Sequence, residues 1–277
     1  MKPAAFDYLR ATSTEEALEA LAAEGPEARV LAGGQSLLPM LNMRLARPAV
    51  LVDVMHVPAL RRLEERDGAL VVGAGVRQQE LEGRPNLARR VPMLAAALPW
   101  IGHAQTRSRG TVCGSVAHAD PSAELPLLLV ALEGEIHLRS RRRARRVPAE
   151  RFFTGMMATE RGDDELIEAV AFPLARPGAG YAFREVGRRH GDYAIAACAA
   201  AVEGGAARLA VGGVADRPVA RAALPLPGDP GLDEALEDFA WELGARDDLH
   251  ATARYRRDLV RRLGRTVIEE AHARCHA

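Results

Sequence analysis

The sequence predicts an α+β protein of two domains, a larger one over residues 1–176 and a smaller one over residues 177–277. Three observations carry that expectation. Apolar strand-like runs alternate with helical periodicity through the first part, as in "ARVLAG", "LLPMLNMRLA" and "AVLVDV". A Pro- and Gly-rich stretch, "LARPGAG", interrupts the pattern near residues 174–180. Beyond it the texture changes to strands with tight turns, followed by two amphipathic helices, "GLDEALEDFAWELGA" and "ATARYRRDLVRRLGRTVIEEAHARC".

Taken in order, Ser13-x-x-Glu16 is a capping box ahead of Ala17, Leu18, Leu21 and Ala22, and Gly25 closes that helix. "ARVLAG" is a short buried strand that runs into Gly33-Gly34-Gln35-Ser36; a helix and the strand "AVLVDV" follow. "ALVVGAGV" is another apolar strand. "PMLAAALPWIGHA" reads as helical around Pro99, and "SAELPLLLVALEG" as helical again with Pro121 at its first turn. "EIHLRSRRRARRVPAERFF" reads as two strands around a turn holding six arginines between Arg139 and Arg146. Such a turn is either a nucleic-acid patch or a solvated hairpin tip. The missing aromatics and a formal net charge of +0 favour the tip. "DELIEAVAFP" closes the first domain as a strand. "YAFREVGRRHGDYAIAACAAAVEG" and "ARLAVGGVADRPVA" supply the strands of the second.

Composition bounds the function classes. Hydrophobic residues make up 48% and charged residues 27%, ordinary values for a globular chain. The zero net charge gives no global attraction to nucleic acid or an anionic membrane. Lys2 is the only lysine among 37 basic residues, a skew that fits either GC-rich coding or guanidinium recognition of anions. No signal-peptide core or membrane-length apolar run is present, so a cytoplasmic location is expected. Cys113, Cys198 and Cys275 lie far apart with no Cys-x-x-Cys pair, which argues against a disulfide framework, a zinc site or an iron–sulfur cluster on this chain.

The chemistry concentrates in two glycine-rich loops about 75 residues apart. In Gly33-Gly34-Gln35-Ser36, between a strand and a helix, successive amides can converge on one anion, although a tight strand–helix turn accounts for the glycines as well. No Gly-Lys-Ser/Thr follows, so this is not a Walker A loop, and Gly-x-Gly-x-x-Gly is absent from the strand–helix junctions. The second loop lies in "TRSRGTVCGSVAHADPSAELP" (106–126). There Thr111 and Ser115 offer hydroxyls, while Gly110 and Gly114 allow close approach. Asp120 and Glu124 follow, either as ligand-facing carboxylates or as helix caps. Two anion cradles suit a ligand with two phosphates and a long polar chain, and a dinucleotide held by amides and hydroxyls needs no lysine. Cys113 is expected to fill space between glycines, with nothing nearby to activate it. His103 and His118 are expected to serve as structural hydrogen-bonding groups.

"LAGGQSLLPMLNMRL", "TRSRGTVCGSVAHADPSAELP", "GRRHGDYAIA" and "LAVGGVADRP" occur here in the order in which they occur in a known family. The chain resembles, over nearly its whole length, the flavin-binding (medium) subunit of the molybdenum hydroxylases, the family of bacterial carbon monoxide dehydrogenase and xanthine dehydrogenase. The resemblance implies an FAD-binding domain of the vanillyl-alcohol-oxidase (PCMH) type, made of two α/β subdomains, with a smaller α+β C-terminal domain after it. It further implies that Ala32, Gly33, Gly34, Gln35 and Ser36 wrap the FAD pyrophosphate, flanked by Leu31 and Leu37. Thr111, Gly114 and Ser115 would form the second cradle, with Thr106 and Gly110 shaping its mouth. Glu124 matches a carboxylate for the ribityl hydroxyls, with Asp120 beside it in sequence, and Tyr193 matches an aromatic near the isoalloxazine ring. Ile167 and Arg184 would sit near the flavin edge.

Two positions depart from the family pattern. Gln35 stands where relatives often have His, which rules out attachment of FAD through a histidine in this loop and implies dissociable FAD. Arg107-Ser108-Arg109-Gly110 stands for the usual Arg-Asn-Arg-Gly. The implied assembly is a dimer of heterotrimers, with a large molybdenum-binding subunit and a small subunit carrying two [2Fe–2S] clusters. This chain would take electrons from those clusters and pass them to an external acceptor, with no acid–base residue of its own acting on the organic substrate. A self-sufficient flavin oxidase and a non-enzymatic phosphate-binding module remain as alternatives from the residues alone.

Overall fold

The computed structural model describes residues 2–275. The chain opens with β1 (Asp7–Arg10), α1 (Thr14–Glu24), β2 (Ala28–Leu31), α2 (Leu37–Asn42) and β3 (Val50–Asp53). The three strands form a parallel sheet in the order β1-β3-β2. Helix α1 starts where the capping box predicts: the Glu16 amide donates to Ser13 Oγ at 3.1 Å, and the Glu16 carboxylate accepts from the Thr12 amide at 2.8 Å. Gly25 ends it with φ of 52°.

The second unit runs β4 (Leu63–Arg66), β5 (Ala69–Gly73), α3 (Gln78–Glu82), α4 (Leu87–Arg90), α5 (Pro92–Ala97), α6 (Ala104–Arg107), α7 (Val112–His118) and α8 (Glu124–Ala131). It continues with β6 (Glu135–Arg139), β7 (Ala144–Pro148), α9 (Ala149–Phe152), the short pair β8 (Phe153–Gly155) and β9 (Ala158–Thr159), and β10 (Leu166–Pro173). Its sheet is antiparallel, in the order β4-β5-β10-β6-β7. Every residue of α8 is buried, as suits a helix apolar on all sides. Pro121 does not open it. The Ser122 amide donates to Asp120 Oδ1 at 2.8 Å, and this turn delays the helix to Glu124, leaving Pro126 in its first turn.

The last part is the antiparallel meander β11 (Gly180–Val186), β12 (Ala196–Glu203), β13 (Ala206–Gly212) and β14 (Val219–Leu224), followed by α10 (Leu232–Glu242) and α11 (Ala253–Arg274). Alternation along these strands makes the sheet apolar on both faces. Tyr181, Phe183, Ala197, Ala199 and Ala210 join the core of the first 176 residues. Ala182, Ala196, Cys198, Ala200 and Val211 join a second core with α10 and α11. No helix among the described residues is long and apolar enough to cross a membrane.

The arginine-rich turn between β6 and β7 is largely a set of ion pairs. Arg139 pairs with Glu168 and Glu15, Arg143 with Glu165, and Arg145 with both Glu160 and Glu165. Glu165 is only 1% exposed, and its hydrogen bond from Arg145 is the main cause of a carboxyl pKa held down to about 2. Arg141 and Arg142 at the tip are exposed.

Candidate functional site

A cleft of about 590 Å³ opens between the parallel sheet, the antiparallel sheet and the loop that follows β11. The volume falls within the range of small-molecule and cofactor sites. One wall is the turn between β2 and α2, contributing Ala32, Gly33, Gly34, Gln35, Ser36 and Leu37. Gly34 turns there with φ of 73°, a conformation that favours glycine. The opposite wall carries Thr106, Gly110, Thr111, Gly114 and Ser115, and Glu124, Ile167 and Tyr193 complete the lining.

The two glycine loops touch. A Cβ on Gly33 would lie 2.6 Å from Gly110 Cα and 2.8 Å from the Arg109 carbonyl carbon, so no side chain fits at that position. Thr111 caps α7, its Oγ1 accepting from the Gly114 amide at 3.1 Å, which leaves the hydroxyl proton available to a ligand. Arg107 braces this wall from behind. Its Nε donates to Glu82 Oε2 at 2.8 Å and its Nη1 to the carbonyl of Ile101 at 3.2 Å. Ser108 donates to the Gln105 carbonyl at 2.8 Å, so the serine in place of the family's asparagine closes the turn internally. Cys113 is buried, with its thiol pushed up by desolvation, in keeping with a packing role.

Charge in the cleft is unevenly spread. Arg29 and Arg161 both line it, and the charge of Arg29 adds to burial in lowering the Arg161 pKa. Arg161 is fixed by donation to the carbonyls of Gly162 and Glu165, each at 2.7 Å. Elsewhere the cleft is acidic, with Glu124 buried and Tyr193 half exposed. Glu124, 4% exposed, has its carboxyl pushed up to about 7, first by burial and then by the charge of Asp120. Behind it on β11, Glu185 is pushed up to about 8 by burial and by Glu124. Tyr193 is pushed up to about 12 by desolvation, with Asp120 and Glu124 adding to it.

Three predicted residues lie off the cleft lining. Leu31 ends β2, its carbonyl accepting from the Val54 amide at 3.0 Å. Asp120 holds the turn before α8 and acts on the cleft through its charge alone. Arg184 projects from the other face of β11, with its Nε 2.9 Å from Glu270 Oε1 on α11. The sequence reading missed Arg29, Gln78, Ile101 and Arg161, which line the cleft as single residues outside any motif. Among the described residues no group of three or more His, Cys, Asp or Glu is placed to hold a metal ion.

Residues 4–175 match the family described as "FAD binding domain in molybdopterin dehydrogenase", and residues 181–271 match "CO dehydrogenase flavoprotein C-terminal domain". The chain belongs to the FAD-binding medium subunits of the molybdenum hydroxylases. This medium subunit is 38% identical to the nicotine 6-hydroxylase medium subunit of Paenarthrobacter nicotinovorans, over 99% of this chain and 100% of that one. It is 32% identical to the carbon monoxide dehydrogenase medium chain of Hydrogenophaga pseudoflava, again over 99% and 100%. A chain of quinoline 2-oxidoreductase from Pseudomonas putida 86 superposes with a TM-score of 0.91 at 34% identity, covering 100% of both chains.

The cleft's donor set fits the family's cofactor. FAD presents a diphosphate that only accepts hydrogen bonds, hydroxyls that both donate and accept, and a flat aromatic ring. The medium subunit sets glycine-loop amides and two arginines, a buried carboxylate, and Ile101, Ile167 and Tyr193 around one cavity. Gln78 Oε1, buried in that lining, has no hydrogen-bond partner among the described residues, as expected where a ligand is to complete the site.

Proposed function

We propose that this chain is the FAD-carrying electron-transfer subunit of a heterotrimeric molybdenum hydroxylase. It takes electrons from [2Fe–2S] clusters of a small partner subunit, while a large partner holds the molybdenum cofactor, and passes them to an external acceptor. The heterotrimers pair into a dimer, and the FAD is bound without a covalent bond. The observation that carries the reading is the meeting of the two glycine loops at Gly33 and Gly110 inside one cleft.

Each wall has a task. The amides of the Ala32–Ser36 turn and the hydroxyls of Thr111 and Ser115 donate to the diphosphate, and Arg29 and Arg161 neutralise it where a lysine is lacking. Glu124 accepts from ribityl hydroxyls. Those donors favour its ionised form and draw its raised pKa back down. Ile101 and Ile167 exclude water from the ring, and Tyr193 covers it. Bound FAD supplies the exchange between one- and two-electron chemistry; the chain supplies position and electrostatics. Arg184, ion-paired to Glu270, takes no part, so Arg184→Ala is expected to leave the FAD Kd within about twofold of wild type.

An absorbance spectrum of the purified chain, taken before and after acid precipitation, tests the reading. Flavin bands that move into the supernatant are expected. Bands retained in the pellet would reveal a covalent bond and refute the inference from Gln35. A chain that takes up no flavin from added FAD, alone or with its partner subunits, would overturn the proposal.

A further inference from the structure

We infer that Gln78 positions the cofactor, its buried side-chain oxygen accepting a hydrogen bond from an O–H or N–H group of bound FAD. The inference rests on the FAD reading above and adds a residue that lies in neither glycine loop.

Gln78 is the first residue of α3, lines the cleft and is only 4% exposed. The chain around it is fastened to the second glycine loop. The Gln78 amide donates to the Gly110 carbonyl at 2.9 Å, the Val112 amide donates to the Val76 carbonyl at 3.2 Å, and Arg77 bridges Thr111 between them. These bonds fix the Gln78 backbone against the loop, and rotation of the side-chain carboxamide is what turns its buried Oε1 to a bound ligand. Its amide group lies against Gly110, where a Cβ would come within 3.2 Å of Oε1. Gly110 thus serves two neighbours, the Gln78 amide on one side and Gly33 on the other.

A buried carbonyl oxygen without a donor is unfavourable, and such an atom beside a ligand cavity is most simply completed by the ligand. The unpaired atom is an acceptor, which fixes the chemistry of its partner. Diphosphate oxygens cannot serve, since they too only accept. The donors FAD offers are its ribityl and ribose hydroxyls, the ring N–H and the adenine amino group. Gln78 therefore complements the loop amides, which donate to the phosphates.

Gln78→Met in the full chain tests this, because methionine keeps nearly the same volume and removes both polar atoms. Two quantities are read: the FAD Kd, by quenching of flavin fluorescence, and the melting temperature of the FAD-free chain. FAD binding is expected to weaken about tenfold, while the FAD-free variant melts at or above the wild-type temperature because an unpaired buried oxygen is gone. A Kd within twofold of wild type would overturn the inference. A weaker Kd accompanied by a lower melting temperature would overturn it too, since Gln78 would then merely prop the loop. If the wild-type chain takes up no FAD, alone or with its partner subunits, the functional reading fails and this inference with it. If wild type and variant bind FAD equally well, this inference alone falls.

Discussion

Gly33→Ala is expected to abolish FAD binding, with the Kd rising at least about a hundredfold, and to cost about 3 kcal/mol of stability. The added methyl would run into the backbone of the facing loop, with Gly110 Cα at 2.6 Å, the Arg109 carbonyl carbon at 2.8 Å and the Arg109 oxygen closer still. No rotamer relieves contacts with main chain, so the two glycine loops must separate and the cradle comes apart. Gly34→Ala is the control. Its φ of 73° makes alanine strained by about 1 kcal/mol, yet its nearest obstacle is the movable Leu38 side chain at 3.0 Å. The control should lose stability but keep measurable FAD affinity. Wild-type affinity in Gly33→Ala would mean that the two loops do not hold one ligand together.

Glu185→Gln is expected to change stability little at pH 5 and to raise it on the order of 4 kcal/mol at pH 9. The direction follows from the raised pKa. Glu185 keeps its proton in the folded chain up to about pH 8, against an ordinary value of 4.5, so the folded state binds more protons across that window. Its stabilising contribution is complete below pH 4.5 and is lost as the pH climbs through 8. Glutamine, neutral throughout, removes that loss. The surroundings offer no rescue: α5 carries no titratable side chain, α8 only Glu124, and the residues of β12 from Ala196 to Ala201 only the thiol of Cys198, which joins the second core. Thermal melts of both proteins at pH 5, 7 and 9 check it. Parallel loss of stability in wild type and variant would refute the assignment of the titration to Glu185.

The two glycine loops and the long C-terminal elements were legible in the sequence because their signals are local. A turn that needs glycine declares itself, and an amphipathic helix of 22 residues such as α11 carries its own periodicity. Strands β1 and β4 were missed for the converse reason. "DYLR" and "LEER" are mostly exposed, and pairing to their neighbours, not an apolar run, makes them strands. Arg184 lies off the cleft by one residue of parity. Tyr181 and Phe183 face the first core, so Arg184 must face α11, and only Glu185 turns toward the cleft side. Gln78, Arg29 and Arg161 belong to no motif, and folding alone brings them to one cavity.

The meander of β11 to β14, apolar on both faces, also matters to the chain as it is being made. Strands β11 to β13 complete the core that the first 176 residues leave open over α5 and α8. The meander ends at Leu224, about 50 residues after Pro173, so at ordinary elongation rates the nascent first domain waits roughly 3–10 s with that apolar face uncovered. A ribosome stalled in this interval would present an aggregation-prone surface. Nascent chains arrested near residue 180 should therefore engage chaperones that chains arrested near the C-terminus have already shed.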